Sequence, residues 1–241
     1  MSAVHPPPLA EMTTRSFSKT QPGVLPVFQS RSQTKTFYNR ISKFYDLLAY
    51  HSEAPVRRIA LARLASRSGE KILEIGFGTG HCLTEIAKVV GVTGKIYGVD
   101  LSEEMMKRGK KLLEKQNLAE RAELVCSDAI DLPYHDNFLD AVFMSFTLEL
   151  FDTPEIPKVL RECMRVLRPS GRIVVAGLSK EGRQTLLIKA FEWTHRHFPK
   201  FLDCRPIYVR RALSDVGFKI TEISRKQMWL PVEIALGIKP I

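Results

Sequence analysis

The chain predicts an α/β fold: a seven-stranded, mostly parallel sheet with helices on both faces. Three observations carry that expectation. Strand-like and helix-like segments alternate five times with short links, the pattern of parallel strands joined by helical crossovers. The run Lys71-Ile-Leu-Glu-Ile-Gly-Phe-Gly-Thr-Gly-His81 carries an apolar strand into a glycine-rich turn and then into a helix. Two further strand segments, 219–224 and 228–236, follow the last helix and close the sheet.

Residues 1–34 are rich in Pro, Ser, Thr and Gln, include Pro6-Pro-Pro8 and lack helical periodicity, so they read as a disordered basic arm. Their shortage of acids also suits an organelle transit segment, although the prolines and the few arginines weigh against it. Residues 35–241 form one domain. Helices are expected over 36–50 and over 55–66, the second with Arg57, Arg58 and Arg63 on its outer side. After strand 95–100, Ser102 is a natural N-cap, with acids in the first turn of a third helix. Strands at 122–128 and 137–145 flank an acidic loop. Residues 154–167 carry Ile156, Val159, Leu160, Cys163 and Val166 on one helical stripe. A Pro-Ser-Gly turn at 169–171 leads into a fifth strand. Helices over 181–198 and 207–217 follow, the latter stopped by Gly217.

At 241 residues and 44% hydrophobic, the chain can bury an ample core. No apolar run approaches the length that spans a bilayer. Cysteines 82, 126, 163 and 204 are scattered, which indicates neither a disulfide framework nor a metal site, and points to free thiols in a cytoplasmic, reducing setting. Net charge is +10, unevenly placed: residues 1–40 hold five Lys/Arg against one acid, 41–150 hold 14 against 16, and 151–241 hold 17 against 9. A basic carboxyl-terminal third suits an anionic membrane surface, nucleic acid or an acidic ligand, or is simply a solvated face.

The glycine turn lacks the glycine at 81 that a dinucleotide fingerprint needs; His81 stands there. What remains is an acid, Glu74, followed by glycines at 76, 78 and 80. Asp100 closes the next strand, 20 residues after Gly80, where an open α/β sheet receives ribose hydroxyls. A carboxylate can accept both hydroxyl hydrogens. Asp128 closes the third strand. Three acids at three successive strand ends, in this order, resemble class I S-adenosylmethionine-dependent methyltransferases. The spacing is most similar to the methyltransferases of ubiquinone and menaquinone synthesis and to the soluble-type bacterial phosphatidylethanolamine N-methyltransferases, and Phe37-Tyr-Asn-Arg-Ile-Ser-Lys-Phe-Tyr-Asp46 is typical of that neighbourhood. The resemblance covers roughly residues 36–238; it departs at Pro-Ser-Gly, where the family usually has Pro-Gly-Gly. It implies a Rossmann-like sheet with an antiparallel last strand. It also implies S-adenosyl-L-methionine as cofactor, released as S-adenosyl-L-homocysteine, with no metal. The residues it assigns to the cofactor are Glu74, Gly76, Phe77, Gly78, Thr79, Gly80, Asp100, Leu101, Met105, Ser127, Asp128, Ala129 and Ser145.

Methyl transfer from a sulfonium is an in-line displacement, so a catalytic constellation is not required. Candidates for a role at the acceptor are Tyr38 and Tyr45 on the lid-like first helix, where an aromatic face can hold a cation, Glu149 after strand four, and His195. His195 and His197, two apart on a helix, cannot share a face as a metal pair. Arg205, Arg210 and Arg211 could bind a phosphate head group. The expected acceptor is small and apolar or amphiphilic, a quinone or phospholipid amine, reached by peripheral contact with an anionic membrane. Two rivals stand beside it: an RNA methyltransferase, for which the segment Ser145-Phe-Thr-Leu lacks the Asn-Pro-Pro-Tyr-type run of base-amine methylases, and a non-catalytic cofactor-binding module.

Overall fold

The computed structural model describes residues 21–45, 51–182, 186–197 and 204–241. Its sheet comprises β1 (Lys71–Ile75), β2 (Lys95–Asp100), β3 (Ala122–Cys126), β4 (Leu139–Ser145), β5 (Leu167–Leu178), β6 (Lys219–Gln227) and β7 (Pro231–Ile238). Their order is β3-β2-β1-β4-β5-β7-β6. β3 through β5 pair in parallel, and β7 runs antiparallel to both β5 and β6. The seven-stranded, mostly parallel Rossmann-like sheet expected from the sequence is therefore present, with its last strand reversed.

The helices are α1 (Arg31–Tyr45), α2 (His51–Leu64), α3 (His81–Val90), α4 (Glu103–Lys115), α5 (Ile156–Val166), α6 (Leu186–His197) and α7 (Val209–Asp215). Strand alternation sorts the core onto two faces. Leu73, Val142, Met144, Ile173 and Val175 face α5 and α7, which bury Val159, Leu160, Cys163 and Leu213 against them. Ile72, Ala141, Phe143, Val174 and Ala176 face the other way, onto Val56 and Ala60 of α2, Leu83 and Ile86 of α3 and Phe191 of α6. Glu74 lies between Leu73 and Ile75, so alternation turns it to the α2–α3 face.

Register sets the functional edge. Ile75 pairs with both Val99 and Met144, and Asp100 pairs with Cys126. The residues just beyond these pairs, Gly76, Asp100, Ser127 and Ser145, therefore emerge side by side at the carboxyl end of the sheet, where open α/β sheets bind ligands.

The first helix begins at Arg31, five residues before the expected start. Ser30 and Gln33 form a capping box: the Gln33 N–H donates to Ser30 Oγ at 3.3 Å, and the Ser30 N–H donates to Gln33 Oε1 at 2.9 Å. The expected helical residues 46–50 lie outside the described residues, as do residues 1–20 of the expected arm. Residues 21–30, also assigned to the arm, are packed instead. Gln21 is buried, the Val27 N–H donates to Asp152 Oδ1 at 3.0 Å, and Lys180 Nζ donates to the Gly23 carbonyl. Arg205, fully buried, donates to the carbonyls of Leu25, Glu149 and Phe151. Arg205 thus pins this strap to the loop after β4 and is not available for a head group, and burial lowers its pKa to about 10. Arg211 and Arg210 pair with Glu181 at 3.0 and 3.8 Å.

Candidate active site

Two cavities open at the carboxyl edge and meet at Ser145, which lines both. The larger is walled by Gly76, Gly78, Asp100, Leu101, Met105, Ser127, Asp128, Ala129 and Ser145, and roofed by Arg31, Thr34 and Tyr38 of α1. Nine of the sequence-assigned cofactor residues are thereby brought together. The smaller is lined by Glu74, Thr79 and Cys82, with Glu53 and Arg57 reaching in from α2.

The turn after β1 needs glycine at 76. Its φ is +69°, and a Cβ there would lie 2.3 Å from the Thr147 methyl. Gly80 lines neither cavity; it precedes α3 in the left-handed region, packed on Gly109. The ring of Phe77 is likewise buried against Gly98 and Gly109 in the α3–α4 core, so its side chain packs the loop from behind.

Asp100 is held by two backbone donors, with the Gly78 N–H on Oδ2 at 2.9 Å and the Ser102 N–H on Oδ1 at 2.9 Å. Burial nonetheless raises its pKa to about 6, these N–H groups opposing the shift. Ser102 caps α4, accepting the Met105 N–H at 3.1 Å, and donates to Asn39 of α1 at 2.5 Å. Asp128 accepts the Ile130 N–H at 3.2 Å and pairs with Arg31 Nε at 3.2 Å. Arg31 also pairs with Glu155 at 3.1 Å and lies 4.5 Å over the Phe151 ring. One cation therefore ties the roof helix to the third strand-end acid.

The smaller cavity concentrates acid. Glu53 pairs with Arg57 at 3.1 Å, yet burial lifts its carboxyl to about 7. Burial, reinforced by the charge of Asp100, pushes Glu74 well above the ordinary range. Glu74 Oε2 and Ser145 Oγ are buried without a hydrogen-bond partner. Two carboxyls facing one guanidinium, plus two unsatisfied oxygens, form an environment that a group bearing both an ammonium and a carboxylate would complete. Sequence reasoning placed Arg57 on the outer side of its helix; it lies inward instead, because α2 turns its first turns toward the end of β1. Glu53, Arg57, Arg31 and Thr34 were missed. The i, i+4 spacing of Glu53 and Arg57 was the only available signal.

The acceptor candidates separate. Tyr38 lines the larger cavity. Tyr45 ends α1, and its side chain lies outside the described residues. Glu149 sits on a short turn, Leu148–Leu150, and is fully buried. Its Oε1 accepts the Leu178 N–H at 3.0 Å, Oε2 lies buried without a partner, and burial lifts the carboxyl to about 7. It lines neither cavity. His195 is also buried, its Nε2 lying 3.2 Å from the Pro26 carbonyl and its ring 5.4 Å from that of Phe28; it anchors the strap. His197 is exposed and stacks on Trp193. Among the described residues, no cluster of potential ligands could hold a metal ion.

Residues 72–171 match a family model described as a methyltransferase domain. A demethylmenaquinone methyltransferase of Staphylococcus aureus (strain JH9) is 34% identical over 149 residues, 60% of this chain and 60% of the relative's own length. Among solved structures, the (4+2)-cyclase SpnF matches with a TM-score of 0.72 at 16% identity, over 90% of this chain and 99% of that one. A SAM-dependent methyltransferase from Aquifex aeolicus matches with a TM-score of 0.59 at 22% identity, over 88% and 99%. At these identities the structural likeness is one of fold alone. Residues 72–171 thus match a methyltransferase domain, and the strand order and the glycine turn with its three strand-end acids resemble those of the class I S-adenosylmethionine-dependent methyltransferases, while the chain spans 60% of the length of the curated relative it matches.

Proposed function

We propose that the protein transfers a methyl group from S-adenosyl-L-methionine to a small apolar or amphiphilic acceptor, with a quinone-type ring as the first choice. The single observation that carries the cofactor reading is the pair of cavities joined at Ser145. One offers a carboxylate for two ribose hydroxyls and a slot beside Asp128 and Ala129 for a flat base. The other offers a carboxyl-rich end with one guanidinium. In this reading Asp100 holds the ribose, and Ser127, Asp128 and Ala129 border the adenine. Glu74 and Glu53 take the ammonium, and Arg57 takes the carboxylate.

When bound, the cofactor supplies the electrophilic methyl, so the chain has to bind, align and keep water out. Thr34 and Tyr38 roof the cavity from α1, and the Arg31–Asp128 and Lys35–Glu103 pairs hold that roof down. Neither Glu149 nor His195 lines the cavities, so the reading assigns neither of them as a general base. The 34%-identical demethylmenaquinone methyltransferase supports a quinone acceptor, and no helix among the described residues is long and apolar enough to cross a membrane. The setting implied is the cytoplasm, against a membrane that dissolves the acceptor.

The test is incubation with radiolabelled methyl donor and, separately, a demethylated quinol, phosphatidylethanolamine and RNA. Label should enter the quinol fraction. Label confined to RNA would replace the acceptor, and label in none of the three would favour a binding module without turnover.

A further inference from the structure

Both tryptophans of the chain, Trp193 and Trp229, lie on its surface, 56% and 46% exposed. Large aromatics are ordinarily buried, so an exposed pair marks a surface with a partner. The two belong to one region. Trp193 lies on α6 and Trp229 in the β6–β7 turn, and Phe191 of α6 packs against Trp229 with ring centroids 5.2 Å apart. α6 also exposes Leu186 and Leu187, at 85% and 53%, while its inner side buries Ile188, Phe191 and His195.

The charges around these apolar groups have one sign. The outward positions of α6 include Lys189 and Arg196 and no acid. Glu192, the acid of this helix, is turned in and paired with Lys180 at 2.5 Å. Beside the β6–β7 turn stands exposed Lys226, paired with Val232, which packs on the α6 side of the sheet. Arg225 lies on the opposite face of the sheet, where it pairs with the buried Glu233 beside α7. Tryptophan and leucine flanked by lysine and arginine, with acid withdrawn, is the composition that settles at a lipid–water interface. A protein partner is less well suited, because lysine is depleted at protein–protein interfaces.

Position agrees with composition. α6 leaves the carboxyl end of β5, and the β6–β7 turn abuts the same end, since Leu178 pairs with Val232. That is the sheet edge on which Gly76, Asp100 and Ser145 open. A bilayer resting on this face would lie beside the mouth of the site.

We propose that the outer face of α6 and the β6–β7 turn form a docking surface for an anionic lipid bilayer, through which a membrane-dissolved acceptor is taken up. The uptake half rests on the acceptor reading above; the docking half does not. The experiment uses the full chain with sedimented vesicles of phosphatidylcholine alone and of equal parts phosphatidylcholine and phosphatidylglycerol. The protein should partition onto the anionic vesicles and come off as salt rises. Its tryptophan emission, which arises from Trp193 and Trp229 alone, should shift to the blue on binding. Lys189→Glu with Arg196→Glu should weaken partitioning on the order of tenfold or more. The same charge reversal at Lys110 and Lys111, exposed on α4, should leave it near wild type. Equal losses in both double variants, or no wild-type binding to anionic vesicles, would overturn the surface. Binding with no methylation of vesicle-dissolved quinol would leave the surface standing and overturn the acceptor. Methylation of a detergent-dispersed quinol without vesicle binding would do the reverse.

Discussion

At Asp100 a single carboxyl is asked to be an acceptor while burial raises its pKa to about 6. Its folded pKa lies above the ordinary value, so acid protonates it early and removes acceptor capacity. Cofactor affinity should therefore fall as pH drops through about 6 and be flat above about 7, read by titration calorimetry across that range. Arg57 provides a second residue-scale test. Arg57→Gln should lower affinity for S-adenosylmethionine about tenfold, the loss of one charge-assisted contact. It should leave affinity for the decarboxylated cofactor unchanged; equal losses for both ligands would show that Arg57 merely holds Glu53. These residues were unequally legible. Glu74, Gly76 and Asp100 follow from local pattern, since each sits where a strand must stop and turn. Arg57 and Arg31 do not, because which face of a helix meets a cavity is decided by packing between elements. Glu149 was misread for the same reason: its burial comes from the β5 backbone at Gly177 and Leu178, 28 and 29 residues onward.

The element that matters most for the site is α1, which roofs it without belonging to the sheet. Its start depends on the Ser30–Gln33 capping box, a signal present in the sequence and overlooked because the preceding residues resemble a disordered arm in composition. Ser30→Ala should destabilise that helix by about 1 kcal/mol. Its local amides should show faster hydrogen exchange, while those of β1 and β4 stay protected. Exchange unchanged in α1 would mean that the Arg31–Asp128 and Asn39–Ser102 contacts alone hold the roof. Strands were easier to place than helix ends. Alternation of apolar residues located β1, β2 and β4 to within a residue or two, whereas β6 runs three residues beyond expectation along its pairing with β7, and β7 itself begins three residues later and ends two later than expected.

Across the whole molecule, buried carboxyls set a pH dependence opposite to the usual one. Glu149 has a folded pKa near 7 against an ordinary 4.5. Its protonated form is favoured by folding, so its contribution to stability is complete below about pH 4.5 and is lost as pH rises through 7. The slope is at most about 1.4 kcal/mol per pH unit for one such group. Glu149→Gln, which cannot ionise, should flatten the stability profile between pH 5 and 7 by up to that amount; an unchanged slope by denaturant titration would show that the carboxyl is charged in the fold. The architecture itself was readable because five alternations and a closing strand pair leave few topologies. The strap of residues 21–30 was not, because the buried Arg205 that holds it comes from the other end of the chain.

The central claim is that three strand-end acids around one glycine turn grip an adenosyl sulfonium, and titration calorimetry of S-adenosylmethionine into wild type and Asp100→Ala tests it most directly. The account predicts one saturable site in the wild type, weakened by about 1.5–3 kcal/mol in the variant through loss of a charged acceptor. Equal affinity in the two proteins, or no binding to a folded wild type, would contradict it.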